Sequence, residues 1–147
     1  MVRICLYQPD IAQNTGTILR TAACMNVGVD IIEPCGFIFS ERKFKRAGMD
    51  YIDSVDLVRH TSWETFYKQV GGRRIVLMTT KSAESVWGFK FQPDDILLFG
   101  RESAGAPEEV HQAANARITI PMQNDQRSLN VAVSVGMTLA VALSNHT

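Results

Sequence analysis

The sequence predicts an α/β fold in which a mostly parallel β-sheet carries helices on both faces. Six short runs rich in Val, Ile, Leu and Phe are bounded by Gly, Pro, Asp or Asn, and helical stretches separate them. Because the runs are apolar throughout rather than alternating, each strand is expected to be buried on both faces. The hydrophobic residues, 46% of the chain, are enough to fill such a core.

Strands and helices alternate in the order that a parallel sheet requires. The predicted strands cover residues 2–7, 29–32, 55–58, 75–79, 96–99 and 117–120. The predicted helices cover residues 15–27, 63–70, a segment from 107 and residues 128–143. Their expected start and end signals are Asn14, Gly28, Ser62, Pro107 and Ser128, in chain order. The last helix is dense in small residues, which indicates tight packing in a core or at a dimer contact.

Length and charge restrict the function classes. At 147 residues the chain has the usual size of one domain, so we expect a single domain over residues 1–147. Fifteen basic residues balance fifteen acidic ones, so any nucleic-acid site must be a local patch. Three cysteines without a CxxC spacing fit a reducing compartment. The first residues lack a signal-peptide core and the apolar run 131–143 is too short to span a bilayer, which predicts a cytoplasmic protein without a membrane segment.

Ligands bind parallel sheets at the carboxyl ends of strands, so the loops that follow strands are the candidate sites. Loop 100–105 has two glycines at phosphate-loop spacing, but Ala106 and Pro107 replace the Lys-Ser/Thr pair, which disfavours a nucleotide triphosphatase. An ordinary strand-to-helix turn remains an equal alternative at this point. The three histidines lack metal-ligand spacing and no Ser-His-Asp arrangement is present, so no metal site is expected.

Basic residues give only a weak signal by themselves. The dense basic cluster is Arg42, Lys43, Lys45 and Arg46, interrupted by Phe44. Such a cluster is compatible with RNA binding, but charge runs are usually just solvated faces. Arg20 is isolated in a largely apolar helix, where a solvated arginine is the simpler interpretation.

Three motifs occur in order along the chain. The first is Asn14-Thr15-Gly16 with Arg20 after it, the second is LFGRESAG over residues 98–105, and the third is ITIPM over 118–122 with Ser128-Leu129-Asn130. With these motifs the chain resembles the SPOUT methyltransferases, specifically the SpoU-type branch that methylates ribose 2′-hydroxyls. The resemblance extends over nearly the whole chain.

This resemblance implies a fold with a deep carboxyl-terminal trefoil knot, a homodimer, and S-adenosylmethionine as methyl donor with no metal. The donor would be held by the knot loops, largely through backbone groups, and Gly100 would let the ligand approach closely. The implied donor-binding residues are Met78, Thr79, Gly100, Ile120, Met122, Ser128 and Leu129.

The resemblance also implies a catalytic group and a substrate. The implied catalytic residues are Arg20, Asn14, Ser128 and Asn130. Since a guanidinium is practically never deprotonated, we expect Arg20 to orient a phosphate and stabilise developing alkoxide rather than act as a base. The short members of the family that the chain resembles methylate the wobble nucleotide 34, cytidine or modified uridine, of tRNA. We expect a leucine isoacceptor, whose anticodon stem-loop would contact Arg42, Lys43, Lys45 and Arg46.

Two other functions stay open at this point. One is 2′-O-methylation at another tRNA or rRNA position, and the other is an RNA-binding SPOUT domain that has lost catalysis. Retention of Asn14, Arg20, Glu102, Ser128 and Asn130 together disfavours the second. The usual rRNA enzymes of this fold carry an additional RNA-binding domain, which these residues do not encode.

Overall fold

The computed structural model describes residues 1–47, 49–81, 84–123 and 129–145, and it shows an α/β fold built on a six-stranded sheet. The strands are β1 (Arg3–Tyr7), β2 (Gly28–Ile32), β3 (Leu57–His60), β4 (Ile75–Met78), β5 (Ile96–Phe99) and β6 (Ala116–Ile118). Their order across the sheet is β3-β2-β1-β5-β4-β6, and every pairing is parallel. The predicted parallel sheet is confirmed, although β3 begins two residues later than its apolar run.

Five α-helices connect or follow the strands in the described residues. They are α1 (Ala12–Met25), α2 (Glu41–Arg46), α3 (Trp63–Gln69), α4 (Glu108–Ala113) and α5 (Val131–Ser144), with 3₁₀ turns at Asp50–Ser54 and Val86–Gly88. No helix in the described ranges is long and apolar enough to cross a membrane. The sequence pattern did not predict α2, because its six residues carry one buried side chain, Phe44, and no apolar stripe.

The helix caps differ from the sequence prediction at three places. Helix α1 begins at Ala12 after Ile11, which offers no side-chain cap, so Asn14 lies in the first turn and its amide is free for other contacts. The helix ends at Asn26 in the left-handed conformation (φ 56°), before Gly28. Helix α5 is capped by Asn130, whose side chain accepts from the N–H groups of Ala132 and Val133. The predicted cap Ser128 lies outside the described residues.

Apolar side chains on the two faces of the sheet form two cores. On one face, Leu6 and Leu97 pack with Leu19 of α1 and Leu139 of α5. The other core brings together buried residues of the opposite face and of α3 and α4: Cys5, Tyr7, Leu98, Trp63, Phe66 and Val110. Helices therefore cover both faces, as the unbroken apolar strands predict.

A set of paired charged groups lies inside the sheet around β2. Asp30 is buried and accepts from Arg3 Nε at 2.7 Å, and its other oxygen lies 2.8 Å from His60 Nε2. A buried carboxylate without partners would carry a large desolvation penalty, which these two contacts offset.

Candidate functional site

A cavity of about 300 Å³ opens at the carboxyl ends of β4, β5 and β6. Its walls come from residues 78–81, 99–106, 119–122 and 129–134 and from His111 of α4. Each of the first three stretches directly follows a strand, which is where ligands bind in open parallel sheets. The size lies at the lower end of the range for small-molecule pockets.

Most of the residues that were predicted to bind the methyl donor line this cavity. Six of them line the cavity: Met78, Thr79, Gly100, Ile120, Met122 and Leu129. The seventh, Ser128, lies outside the described residues. The three strand ends bring these positions together from sequence separations of up to 50 residues, and their role in binding a ligand stays a prediction.

Gly100 is needed by the loop that it begins. A Cβ built on Gly100 would lie 2.5 Å from Gly105 C and 2.5 Å from Ala106 N, both backbone atoms. The loop closes on itself because Arg101 N donates to Gly105 O at 3.1 Å and Gly105 N donates to Arg101 O at 2.9 Å. Gly105 has φ +64°, which L side chains rarely adopt. Closure of the loop thus explains Gly100 without a ligand, in agreement with the strand-to-helix turn that the sequence left open.

A chain of side-chain hydrogen bonds links the three sequence motifs beside the cavity. Asn14 Nδ2 donates to Glu102 Oε2 at 3.2 Å, and Asn130 Nδ2 donates to Asn14 Oδ1 at 3.0 Å. The backbone N–H of Asp10 donates to Glu102 Oε1 at 2.9 Å, so both oxygens of this carboxylate are occupied. The first turns of α1 and α5 are therefore fixed to the second motif.

The carboxyl groups of Glu102 and Asp10 have pKa values that are shifted in opposite directions. Burial raises the pKa of Glu102, and the neighbouring Asp10 carboxyl raises it further. Burial also opposes ionisation of Asp10, but hydrogen bonds from Glu102 and Ser103 lower its pKa below the ordinary value. At neutral pH the pair places negative charge at the mouth of the cavity.

Arg20 lies apart from the cavity of its own chain. It is exposed on α1, and its guanidinium carbon lies 5.8 Å from the centroid of the Tyr51 ring. Tyr51 is held in place because its hydroxyl donates to Gly16 O at 3.0 Å. The structure thus brings Asn14 and Asn130 together, but it does not bring Arg20 into their hydrogen-bonded group.

The predicted RNA-binding residues form one exposed face of α2. Arg42, Lys43, Lys45 and Arg46 are exposed, while Phe44 is buried and anchors the helix to the core. Lys45 Nζ forms an ion pair with Asp53 at 3.0 Å. Part of the positive charge of this face is therefore already balanced within the chain.

The sequence missed one residue of the cavity wall, His111 on α4. Its Nε2 lies 3.0 Å from Thr79 Oγ1 and its Nδ1 lies 3.2 Å from Pro107 O. The sequence patterns tested for the histidines, metal-ligand spacing and a Ser-His-Asp arrangement, do not single out this residue. The available signal was the position of His111 one turn after the Pro107 that follows the second motif.

The chain matches a known protein family and known relatives over most of its length. Residues 1–140 match the SpoU rRNA Methylase family. A tRNA (cytidine(34)-2'-O)-methyltransferase from Beijerinckia indica is 55% identical over 142 residues, which are 95% of this chain and 89% of that protein.

Solved structures have the same fold. A structure described as giving insights into the 2-OH methylation of C/U34 on tRNA has 40% identity and a TM-score of 0.92, with 99% of this chain and 95% of that chain covered. An AdoMet-bound rRNA methyltransferase from Sinorhizobium meliloti has 25% identity and a TM-score of 0.87. The match covers 99% of this chain and 57% of that one.

Proposed function

Because this chain belongs to the SpoU rRNA Methylase family, we propose that it transfers a methyl group from S-adenosylmethionine to the ribose 2′-hydroxyl of the wobble nucleotide 34 in tRNA. The observation that carries the proposal is the 55% identity to a tRNA (cytidine(34)-2'-O)-methyltransferase over nearly the full length of both chains. The hydrogen-bonded group of Asn14, Glu102 and Asn130 beside the cavity gives the same function a physical basis.

The cavity suits the methyl donor. Apolar side chains from Met78, Ile120 and Leu129 share its wall with the backbone of the tight loop 100–105. Such a mixture can enclose an adenosyl group and hydrogen-bond its polar edges through the backbone. When bound, S-adenosylmethionine supplies a methyl group already activated by the sulfonium charge. The protein then has to align the hydroxyl with it and assist removal of one proton.

The residues of this chain would divide that work. Asn14, held by Glu102 and Asn130, presents a fixed amide at the mouth of the cavity. Arg20 would orient the substrate phosphate and stabilise developing negative charge on the ribose oxygen, because its guanidinium stays protonated. Ser128, implied by the third motif, would complete the floor of the site.

A homodimer would explain the position of Arg20. The exposed faces of α1 and α5 carry Arg20 and the half-exposed Val133. If two chains pack through these helices, Arg20 of one chain can approach a substrate at the cavity of the other. The loops after β4, β5 and β6 line one cavity and α5 packs against β5, an arrangement that is compatible with the trefoil knot that the resemblance implies.

The substrate would be an anticodon stem-loop, because unpaired loop nucleotides can be splayed out and reached individually. The exposed basic face of α2 would contact the stem phosphates, and a leucine isoacceptor is the expected tRNA. Since its substrate is tRNA, we place the enzyme in the cytoplasm, acting as one domain over residues 1–147.

Methyl transfer into total tRNA with a radiolabelled donor, followed by nucleoside mapping, tests the proposal. We expect label on the 2′-oxygen of nucleotide 34 and donor binding by calorimetry in the presence of a chelator. Arg20→Ala should bind the donor normally and lose about a hundredfold or more in transfer rate. Label in rRNA, or donor binding that a chelator abolishes, would contradict the proposal.

A further inference from the structure

A hydrogen bond between His111 and Thr79 joins two walls of the cavity, and one further bond holds each of the two side chains. On α4, His111 Nδ1 lies 3.2 Å from Pro107 O, and its Nε2 lies 3.0 Å from Thr79 Oγ1. Thr79 Oγ1 in turn accepts from the N–H of Lys81 at 3.1 Å. Loop 79–81 is therefore fixed to the first turn of α4 across the cavity.

The direction of these bonds defines the state of the imidazole. A carbonyl oxygen can only accept, so the proton of the Nδ1 bond belongs to His111. In the neutral ring Nε2 is then an acceptor, and the Thr79 hydroxyl donates to it. The hydroxyl proton is fully used in this arrangement, and its oxygen keeps the Lys81 N–H. The network is satisfied with His111 uncharged.

We propose that His111 is a positioning residue for the methyl donor, which fixes loop 79–81 through Thr79 and binds donor best while its ring is neutral. The inference rests on the proposed function, because it concerns the same cavity. His111 and Thr79 both line that cavity. Loss of the link would free the loop that closes one side of it, and the donor would have to order the loop on binding.

The charge of the His111 ring should also affect how strongly the cavity prefers the donor over its product. The donor carries a positive sulfonium that its demethylated product, S-adenosylhomocysteine, lacks. A protonated His111 would add a positive charge to the wall of this cavity, and it would repel the donor more than the product. Histidine is the side chain whose charge changes most readily near neutral pH, so measurements at different pH values test this effect.

The effects of the other charged groups around this cavity on donor binding have to be distinguished from the effect of His111. Lys81 and Arg101 are basic residues of its wall, and Glu102, which also lines it, has a pKa raised by burial. On the surrounding elements, Arg117 donates to the backbone oxygen of His111 at 2.6 Å, and Glu108 is exposed on α4. Of these groups, Glu102 is the one whose titration also changes donor binding in acid.

The experiment measures the affinities of donor and product by calorimetry for the full-length protein at about pH 8 and about pH 5.5. The variants are His111→Ala, His111→Gln, Thr79→Val and the His111→Ala/Thr79→Val double variant. A glutamine oxygen can reach the place of Nε2 and accept from Thr79 without titrating. Gln112→Ala, an exposed neighbour on α4, is the control.

At about pH 8 we expect His111→Ala and Thr79→Val each to weaken donor binding about tenfold, the effect of one lost hydrogen bond. The double variant should lose no more than about the same factor, because both changes break one link. His111→Gln and Gln112→Ala should bind the donor like the wild type. Additive losses in the double variant, or wild-type affinity in His111→Ala, would overturn the proposal.

At about pH 5.5 the wild type should lose about fivefold in its preference for donor over product, and His111→Gln should lose clearly less. An equal change in both proteins would assign the effect to Glu102 and overturn the charge argument. If the wild type binds neither ligand, the proposed function itself fails. If it binds both and the variants are unaffected, only the role of His111 fails.

Discussion

Asn130 serves two purposes with the two ends of one amide. Its Oδ1 accepts from the N–H groups of Ala132 and Val133 at 2.8 and 3.2 Å, which caps α5. Its Nδ2 donates to Asn14 Oδ1 and so positions a residue of the candidate active site. An aspartate could perform the first task but not the second, because it has no donor.

Substitutions of Asn130 should therefore separate stability from catalysis. Asn130→Ala removes both contacts, and we expect it to lower the free energy of unfolding by about 1 kcal/mol. Asn130→Asp keeps the cap and should unfold within a few tenths of a kcal/mol of the wild type. Both variants should transfer methyl groups more slowly. Denaturant unfolding and single-turnover kinetics measure the two effects, and full activity of Asn130→Asp would show that the Asn14 link has no catalytic role.

Individual site residues could be predicted where a motif names them, but not where only the tertiary fold places them. Asn14 and Asn130 were selected from their motifs, yet Asn14 was expected to cap a helix that in fact starts at Ala12, three residues before the predicted start. His111 was overlooked, because its position one turn after Pro107 does not by itself show that α4 faces the loop after β4. The distance of Arg20 from the cavity likewise depends on how α1 is oriented, which periodicity does not fix.

At the scale of elements, the tight loop 100–105 shows how backbone packing constrains a residue. Gly100 has no room for a Cβ because the loop backbone returns within 2.5 Å of that position. The same segment supplies part of the cavity wall. A change at Gly100 should therefore affect stability before it affects any ligand.

We expect Gly100→Ala to lower the free energy of unfolding by about 1–3 kcal/mol, the usual cost of overpacking. Gly88→Ala is the matched control, because a Cβ at Gly88 would meet nothing within 4 Å. Thermal or denaturant unfolding of both variants measures the difference. Equal stability of the two would show that the loop moves to accept the methyl group.

Helix α2 is an element whose exposed face is almost entirely basic, and Phe44 holds it to the core. Its predicted role is to bind the tRNA stem. Replacing Arg42, Lys43, Lys45 and Arg46 by Ala should weaken tRNA binding and reduce its salt dependence by roughly one slope unit per lost phosphate contact. Lys45 is expected to contribute least, because it is paired with Asp53.

The measurement for α2 is tRNA affinity over a range of salt concentrations. Lys68→Ala, an exposed lysine on α3, serves as the control for charge alone. Donor affinity should not change in any of these variants. An unchanged salt slope in the quadruple variant would assign the RNA contact to another face.

Among the elements, the apolar runs predicted all six strands. Ser62 was predicted to cap α3, and its side chain accepts from Thr65 N as expected. The pattern failed where an element has too little apolar surface to show a period. Helix α2 is the clearest case, since one buried Phe44 cannot define a stripe. Strand β3 begins two residues later than predicted because Val55, although apolar, belongs to the turn before it.

The whole molecule leaves α1 and α5 partly uncovered, and the proposed dimer would cover them. Cys24 is exposed on α1, Cys5 is buried, and burial together with Glu33 raises the pKa of Cys35 to about 11. At pH 8 only about one Cys35 thiol in a thousand is ionised, so Cys24 is the thiol that alkylation should report.

If the dimer forms through α1 and α5, Cys24 should react with iodoacetamide several-fold more slowly at protein concentrations where sedimentation shows a dimer. Dilution to the monomer should restore the faster rate, which peptide mass spectrometry can follow. Loss of methyl transfer on the same dilution would link the dimer to activity. A fully active monomer, or a Cys24 rate independent of concentration, would contradict the dimer.

The central position of β1 has a consequence for the chain during its synthesis. β1 pairs on one side with β2, which follows soon in the sequence, but on the other side with β5, roughly 70 residues after β2. At ribosomal rates the second edge of β1 thus remains open for about 4 to 14 s after β2 has been made. An apolar, unpaired edge of this kind can join another nascent chain. The first third of the molecule is therefore the part that most needs a chaperone before the enzyme is complete.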